Sequence, residues 1–374
     1  MKGALFISIL LVFCGDIFSQ ESSQTIRPWA INAQPNYGFI VPHQSSMQHL
    51  IQGHSYGVQV GIFRQASGKE YWHQAYNQPE QGVDFCFINT GNPTQLGQQY
   101  SISFLLNLPL NRSVEKLQIV QIDKKRKYKH WLGLGLGMGY STRIWNLETN
   151  HQAAVIGSHG NIALTLQYST RLMRWKDSEL RTGFRISHFS NGSFQLPNLG
   201  TNNACVFLNF IFKKRETEIL PNLVIPAWKK YNVSFAVVGG LKEIPPANGK
   251  KYGIGVFSVL GEKRVNYKSS FGLGYEVFYN SSLQVLMHRK LESPVSKGFT
   301  VQHGLLFSYT LHFNDFELKL QQGYYMRDNY KLDGLFYHRF GLRYFVNEHL
   351  FTQLTLKTHF AKADYGEWGI GWRM

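Results

Sequence analysis

From Tyr56 onward the chain alternates apolar with polar or small residues, in runs short enough to be strands. Tyr56, Val58, Val60 and Ile62 share one side of the first run, and Ile102, Phe104, Leu106 and Leu108 one side of another. Successive strand side chains point to opposite faces, so a period of two predicts strands with one apolar face each. The most regular run sets Leu132, Leu134, Leu136, Met138 and Tyr140 against Gly133, Gly135, Gly137 and Gly139. Ile162, Leu164, Leu166 and Tyr168 follow, opposite Ala163, Thr165, Gln167 and Ser169. Next come a strand through Phe184, Ile186, His188 and Ser190, and one through Val206, Leu208, Phe210 and Phe212. A basic connection marked by Pro221 and Pro226 interrupts the pattern. It resumes at about 232–239, 252–260, 270–279, 303–313, 316–325, 336–345, 351–360 and 367–374.

These runs predict an all-β protein of about 12–14 strands, with weaker strands near 80–88 and 282–288. A soluble sandwich alternates as well, but three features favour an antiparallel transmembrane β-barrel. The runs are about 9–11 residues long, enough to cross a bilayer at a tilt. The non-apolar faces are small or polar, as a barrel interior is, and aromatic residues gather near strand ends, where interfacial girdles lie. Closure also removes the exposed sheet edges that lipid does not tolerate. The expected organisation is a signal peptide at 1–19, a lead segment at 20–53, strands over 54–213, a connection at 214–231 and further strands over 232–374. The two strand sets are expected to close one barrel together, since neither shows an obvious closing edge of its own.

Composition supports this picture and adds partners. The chain has 20 Tyr, 27 Phe, 8 Trp and 35 Gly at a charged fraction of 17%, which suits a β protein with an apolar outer wall. Met1-Lys2, the apolar run Ala4–Phe13 and a polar end at Phe18-Ser19 read as a secretory signal; bulky Phe13 before Cys14 argues against a lipid anchor there. The net charge of +16 favours anionic partners, and on an exported chain phosphorylated lipid headgroups fit better than nucleic acid. The basic turn at Lys124–Lys129 reads as a solvated loop within reach of lipid phosphates. Cys86 and Cys205 remain after cleavage and are able to pair in an oxidising compartment. His43, His49, His54 and His73 lack the paired spacing of a structural metal site and read as polar surface residues. The Gly133–Gly139 run is not a dinucleotide loop, because no helix follows it.

The candidate chemistry lies at Arg185-Ile-Ser-His188-Phe-Ser190-Asn191-Gly192, followed by Pro197-Asn198-Leu-Gly200. His188 and Ser190, two residues apart, share a strand face, and a base beside a hydroxyl is the minimum arrangement for a serine nucleophile. Phe184 and Ile186 lie on that same face, so in a membrane barrel the pair looks onto lipid. The bland alternative is a strand that ends in a polar Ser-Asn-Gly turn.

The run His188-Phe189-Ser190-Asn191-Gly192, then Pro197-Asn198-Leu199-Gly200, resembles the signature of PagL-type lipid A 3-O-deacylases, outer-membrane esterases grouped with acyloxyacyl hydrolase-like proteins. Ile156-Gly157-Ser158-His159-Gly160-Asn161 resembles longer members of that group. The resemblance covers roughly residues 54–213. It implies Ser190 as nucleophile, His188 as base, oxyanion donors from Asn198 and the amides around Gly192 and Ser193, and a supporting role for Asn191. It implies no metal and no organic cofactor. The family's third member is a glutamate, whose position here is Asn202. An amide accepts a hydrogen bond from imidazole but offers no charge; Asp84 and Glu179 are alternative carboxylates.

The expected function is therefore a serine esterase in the outer membrane of a Gram-negative bacterium, removing an ester-linked acyl chain from lipid A or lipopolysaccharide, with homo-oligomerisation left open. The alternatives are a non-catalytic barrel (a channel or a lipid-binding protein) and an outer-leaflet phospholipase.

Overall fold

The computed structural model describes residues 29–110, 130–212, 226–330, 333–360 and 362–374. The expected signal peptide, the basic turn at Lys124–Lys129 and Pro221 fall outside them. Among the described residues, sixteen antiparallel strands form two closed barrels of eight. The first comprises β1 (Ala30–Val41), β2 (Ser55–Gln65), β3 (Glu80–Asn89), β4 (Gln98–Pro109), β5 (His130–Ser141), β6 (Gly160–Trp175), β7 (Ser178–Ser190) and β8 (Thr201–Phe212). The second comprises β9 (Tyr231–Glu243), β10 (Lys251–Arg264), β11 (Ser269–Asn280), β12 (Val301–Phe313), β13 (Phe316–Arg327), β14 (Phe336–Phe345), β15 (Leu350–His359) and β16 (Lys362–Arg373).

The expectation of one wide barrel is thus corrected to two narrow ones. The reason is β1, which lies within the expected lead segment and pairs with both β2 and β8, closing the first barrel. β9 pairs with β16 and closes the second. The expected strand near 80–88 is β3, whereas the one near 282–288 is a helix, Ser282–Leu291, with Leu283 and Met287 buried. Cys86 and Cys205, which the sequence left able to pair, are both buried and free of a disulfide.

Both barrels are polar inside and apolar outside. On β2, Tyr56, Val58, Val60 and Ile62 are exposed, while Gln59 is buried; on β8, Val206, Leu208, Phe210 and Phe212 are exposed, while Asn203 and Asn209 are buried. Many of the buried charges are paired across the interior, which offsets the cost of a low-dielectric site, while Arg185 donates to Gln59 Oε1 and Cys86 Sγ. In the first barrel Arg181 meets Glu80 at 2.6 Å and stacks over Trp131 at 3.4 Å. In the second, Lys319 meets Glu262 at 2.8 Å, Lys357 meets Asp364 at 2.7 Å, and Arg339 bridges Glu276 and Glu367. This arrangement is the inverse of a water-soluble protein and is that of a transmembrane barrel. No described helix is long and apolar enough to cross a membrane.

The two ends of the second barrel differ. Turns 265–268, 314–315 and 346–349 join strands at one end, and longer connections 244–250, 281–300 and 328–335 lie at the other. Connections of the first barrel reach the second at both ends. At the short-turn end, Tyr76 stacks on Phe313 at 4.5 Å and Tyr71 meets Tyr267 edge-on at 4.2 Å. At the long-connection end, the β7–β8 connection docks on β9 and β16. There the Gly366 amide donates to Gly192 O at 3.3 Å, the Glu243 amide donates to Ser193 O at 3.0 Å, and Ser193 Oγ donates to Ala363 O at 2.9 Å.

Lipid contact on this outer wall is testable at Leu166, 48% exposed on β6. Leu166→Arg is expected to destabilise the protein by about 2–4 kcal/mol, the cost of a cation on a mid-bilayer barrel face. Denaturant titration in phospholipid vesicles measures it; a neutral effect contradicts a lipid-facing wall.

Candidate active site

Strand β7 fixes which side the chemistry faces. Arg185, Ser187 and Phe189 are buried in the barrel, whereas Phe184 is 56% and Ile186 45% exposed on the wall. His188 and Ser190 continue the Phe184–Ile186 series and so stand on the outer wall, at the end of the strand. His188 pairs in register with Leu164 on β6 and Asn202 on β8, and Ser190 pairs with Ile162. Ser190 is buried and His188 half-buried there. No hydrogen bond joins His188 to Ser190 among the described residues. Free-enzyme contacts of this kind are commonly loose and tighten with substrate bound.

Asn202 takes the third position by direct pairing. Its Oδ1 accepts a hydrogen bond from His188 Nδ1 at 2.6 Å. An amide oxygen can only accept, so Nδ1 carries the imidazole proton and Nε2 keeps its lone pair, as a base requires. The Asn202 amino group donates in turn to His43 Nδ1 at 3.1 Å. His43 follows the end of β1, where Val41 pairs with Asn202. The reading of His43 as a plain surface residue is therefore corrected: closure by β1 brings it beside the pair. The two alternative carboxylates are also excluded as partners. Asp84 and Glu179 are buried inside the barrel, where Gln59 Nε2 donates to Asp84 at 2.8 Å and Arg171 pairs with Glu179 at 2.9 Å, while His188 faces out.

The connection after Ser190 is held by its own amides. Asn198 Oδ1 accepts from the Asn191 backbone N–H at 2.9 Å, and Asn191 Nδ2 donates to Ser158 Oγ at 2.8 Å and Gln195 O at 2.9 Å. Ser158 belongs to the Ile156–Asn161 run, and Ile156 bridges Asn198, so that run buttresses the site connection. The Asn198 oxygen is thus committed, but its Nδ2 is buried without an acceptor among the described residues and remains a spare donor. Gly192 and Ser193 both have φ of +61°, an unusual conformation for serine, and their contacts with the second barrel brace this turn. Gly200 has φ of +76°, and a Cβ there would sit 2.7 Å from His188 Cε1. Only glycine fits beside this imidazole.

Residues 57–210 match the family model described as "Lipid A 3-O-deacylase (PagL)". Residues 230–374 match the one described as "Acyloxyacyl hydrolase, C-terminal domain". The chain belongs to the PagL family. Each matched segment falls on one barrel, but the PagL match begins inside β2 and leaves out β1, the strand that carries the chain toward His43. PagL-family membership makes this chain a relative of ester hydrolases that act on lipid A. No curated protein matches the chain. Among solved structures, CdiB from Acinetobacter baumannii is 9% identical at a TM-score of 0.20, covering 94% of this chain and 60% of its own. The chain therefore spans less than two thirds of CdiB. The NanC porin is 7% identical at 0.18, covering 92% and 97%, and a Rh. blastica porin mutant is 8% identical at 0.20, covering 93% and 100%. Scores this low carry no argument about the PagL-family site.

Gly200→Ala is expected to cost about 1–3 kcal/mol through a strained positive φ and to displace His188. Denaturant unfolding, with the His188 ring resonances followed by NMR, checks both effects. Unchanged stability and unchanged resonances contradict the fit of imidazole against Gly200.

Proposed function

We propose that this protein is an outer-membrane serine esterase that removes an ester-linked acyl chain from lipid A. One observation carries the reading above all: in a PagL-family chain, an imidazole held with its Nδ1 protonated shares the lipid-facing wall with the next residue in its series, Ser190. The Ser190 hydroxyl attacks the ester carbonyl carbon while His188 Nε2 takes its proton. The resulting oxyanion accepts hydrogen bonds from the spare Asn198 amino group and from backbone amides around Gly192 and Ser193. Collapse breaks the acyl–oxygen bond, and His188 returns the proton to the departing sugar oxygen. Water, deprotonated by His188, then attacks the acyl-serine and releases the fatty acid and Ser190.

The location supports this chemistry. Bacterial barrels carry their longer connections on the extracellular side, and the longer connections of the second barrel lie at the site end, which supports an outer-leaflet position for the site. An acyl chain lying along the β6–β8 wall reaches Ser190 without leaving the membrane. The net charge of +16 suits a phosphorylated lipid.

The channel alternative has less support. Eight strands leave an interior just wide enough for side chains. Arg181, Arg185, Trp131 and Phe189 fill the first barrel, and Arg339, Lys357, Tyr337 and Phe351 the second. A cavity lined by Glu276, Lys319 and Arg339 measures ≈ 10 Å³, room for about one water and not for an ion path.

Lipid A mass spectrometry of Gram-negative cells expressing the protein tests the proposal. Wild type is expected to yield lipid A lighter by one acyl group, and Ser190→Ala unmodified lipid A. Identical spectra overturn the reading. Fatty-acid release from glycerophospholipid with lipid A intact reassigns the same chemistry to a phospholipase.

A further inference from the structure

We infer that His43 is a positioning residue that keeps His188 in its reactive tautomer by occupying the amino group of Asn202. The inference rests on His188 acting as the base of the site. An asparagine beside a histidine is ambiguous, because its side chain carries an acceptor and a donor at the same distance. With Oδ1 toward His188, Nδ1 is protonated and Nε2 is free to take a proton from Ser190. With the amide turned over, the amino group donates to Nδ1, the ring proton moves to Nε2, and the base is blocked. In a serine protease, exchanging the triad acid for an amide left the geometry intact yet cost about 10⁴-fold in kcat, through the wrong tautomer.

The structure supplies what resolves the ambiguity. His43 Nδ1 lies 3.1 Å from Asn202 Nδ2, and His188 Nδ1 lies 2.6 Å from Asn202 Oδ1. Accepting from the amino group, His43 carries its own proton on Nε2; turning the amide over sets two acceptors together unless the His43 proton moves to Nδ1 as well, so the reversed arrangement requires both rings to change tautomer. The relay His43–Asn202–His188 is neutral throughout. It needs β1, since Val41 pairs with Asn202 and His43 follows two residues later. A protein with an acid at the third position has no such need, because either carboxylate oxygen accepts.

That difference gives the test, a double-mutant comparison in the full-length protein. Measured by nitrogen NMR on histidine-labelled protein in detergent micelles, His188 is expected in the Nδ1-protonated form in wild type. In His43→Ala it is expected to shift toward the Nε2-protonated form. With purified lipid A, kcat should fall at least about tenfold in His43→Ala, within the bound set by the amide effect in the protease, and KM should hardly change. His43→Asn, which keeps an acceptor near the Nδ1 position, should recover most of the loss. In an Asn202→Asp background, His43→Ala should alter neither tautomer nor kcat. If His43→Ala leaves the His188 tautomer unchanged, or if it is as harmful in the Asn202→Asp background as with Asn202 in place, the inference is overturned. The tautomer is read without substrate. Absence of lipid A turnover in wild type would therefore count against the esterase reading, while the NMR result would still decide the role of His43.

Discussion

The constraint on which the rest depends is the inversion of polarity across each barrel wall. Lipid requires apolar side chains outside and full pairing of every backbone group, and closed eight-stranded sheets satisfy both. The interiors then have to hold whatever the outer wall excludes. They do so with paired charges such as Arg181–Glu80 and Lys319–Glu262, and with rings stacked on them. Those side chains fill the interior. A substrate consequently meets reactive groups only on the wall or at the barrel ends, and His188 and Ser190 lie where the two regions join.

This placement bears on the choice of a neutral third residue. A carboxylate on a lipid-facing wall would carry a charge poorly solvated by its surroundings and would need its own cationic partner. Asn202 avoids that cost and gives up electrostatic support for the imidazolium. What it retains is orientation, through hydrogen bonds on both sides of the amide. The connection carrying Gly192 and Ser193 is likewise held from two directions. Ser158 and Asn198 hold it within the first barrel, and Glu243, Ala363 and Gly366 hold it from the second. The second barrel is thus joined to the site through the residues that follow Ser190.

Alternation alone makes most of this architecture legible. All eight strands of the second barrel lie where the period of two puts them, because their outer faces are long and consistently apolar. β1 escapes the pattern for physical reasons. Its outer series includes small Ala33 and conformationally restrictive Pro35, and its inner series is Asn32, Gln34 and Asn36. Pro35 lacks an N–H, and the ladder to β8 is broken at Gln34 and Pro35. Without β1 the first eight strands have no closing edge, which makes one wide barrel the natural expectation. The same gap hides His43, whose link to Asn202 depends on pairing between distant strands. His188 and Ser190 are visible by their spacing, and Asn202 by resemblance. That Asp84 and Glu179 point inward is readable from alternation, since both are out of phase with the apolar outer series.

The central claim is that Ser190 is an activated nucleophile on the outer wall. Labelling of the purified protein by a fluorophosphonate, which reacts with activated serines whatever their natural substrate, tests it most directly. Intact-mass and peptide mapping should find one adduct, on Ser190, that is lost in His188→Ala. Failure to label, or an adduct on another serine, would contradict the account.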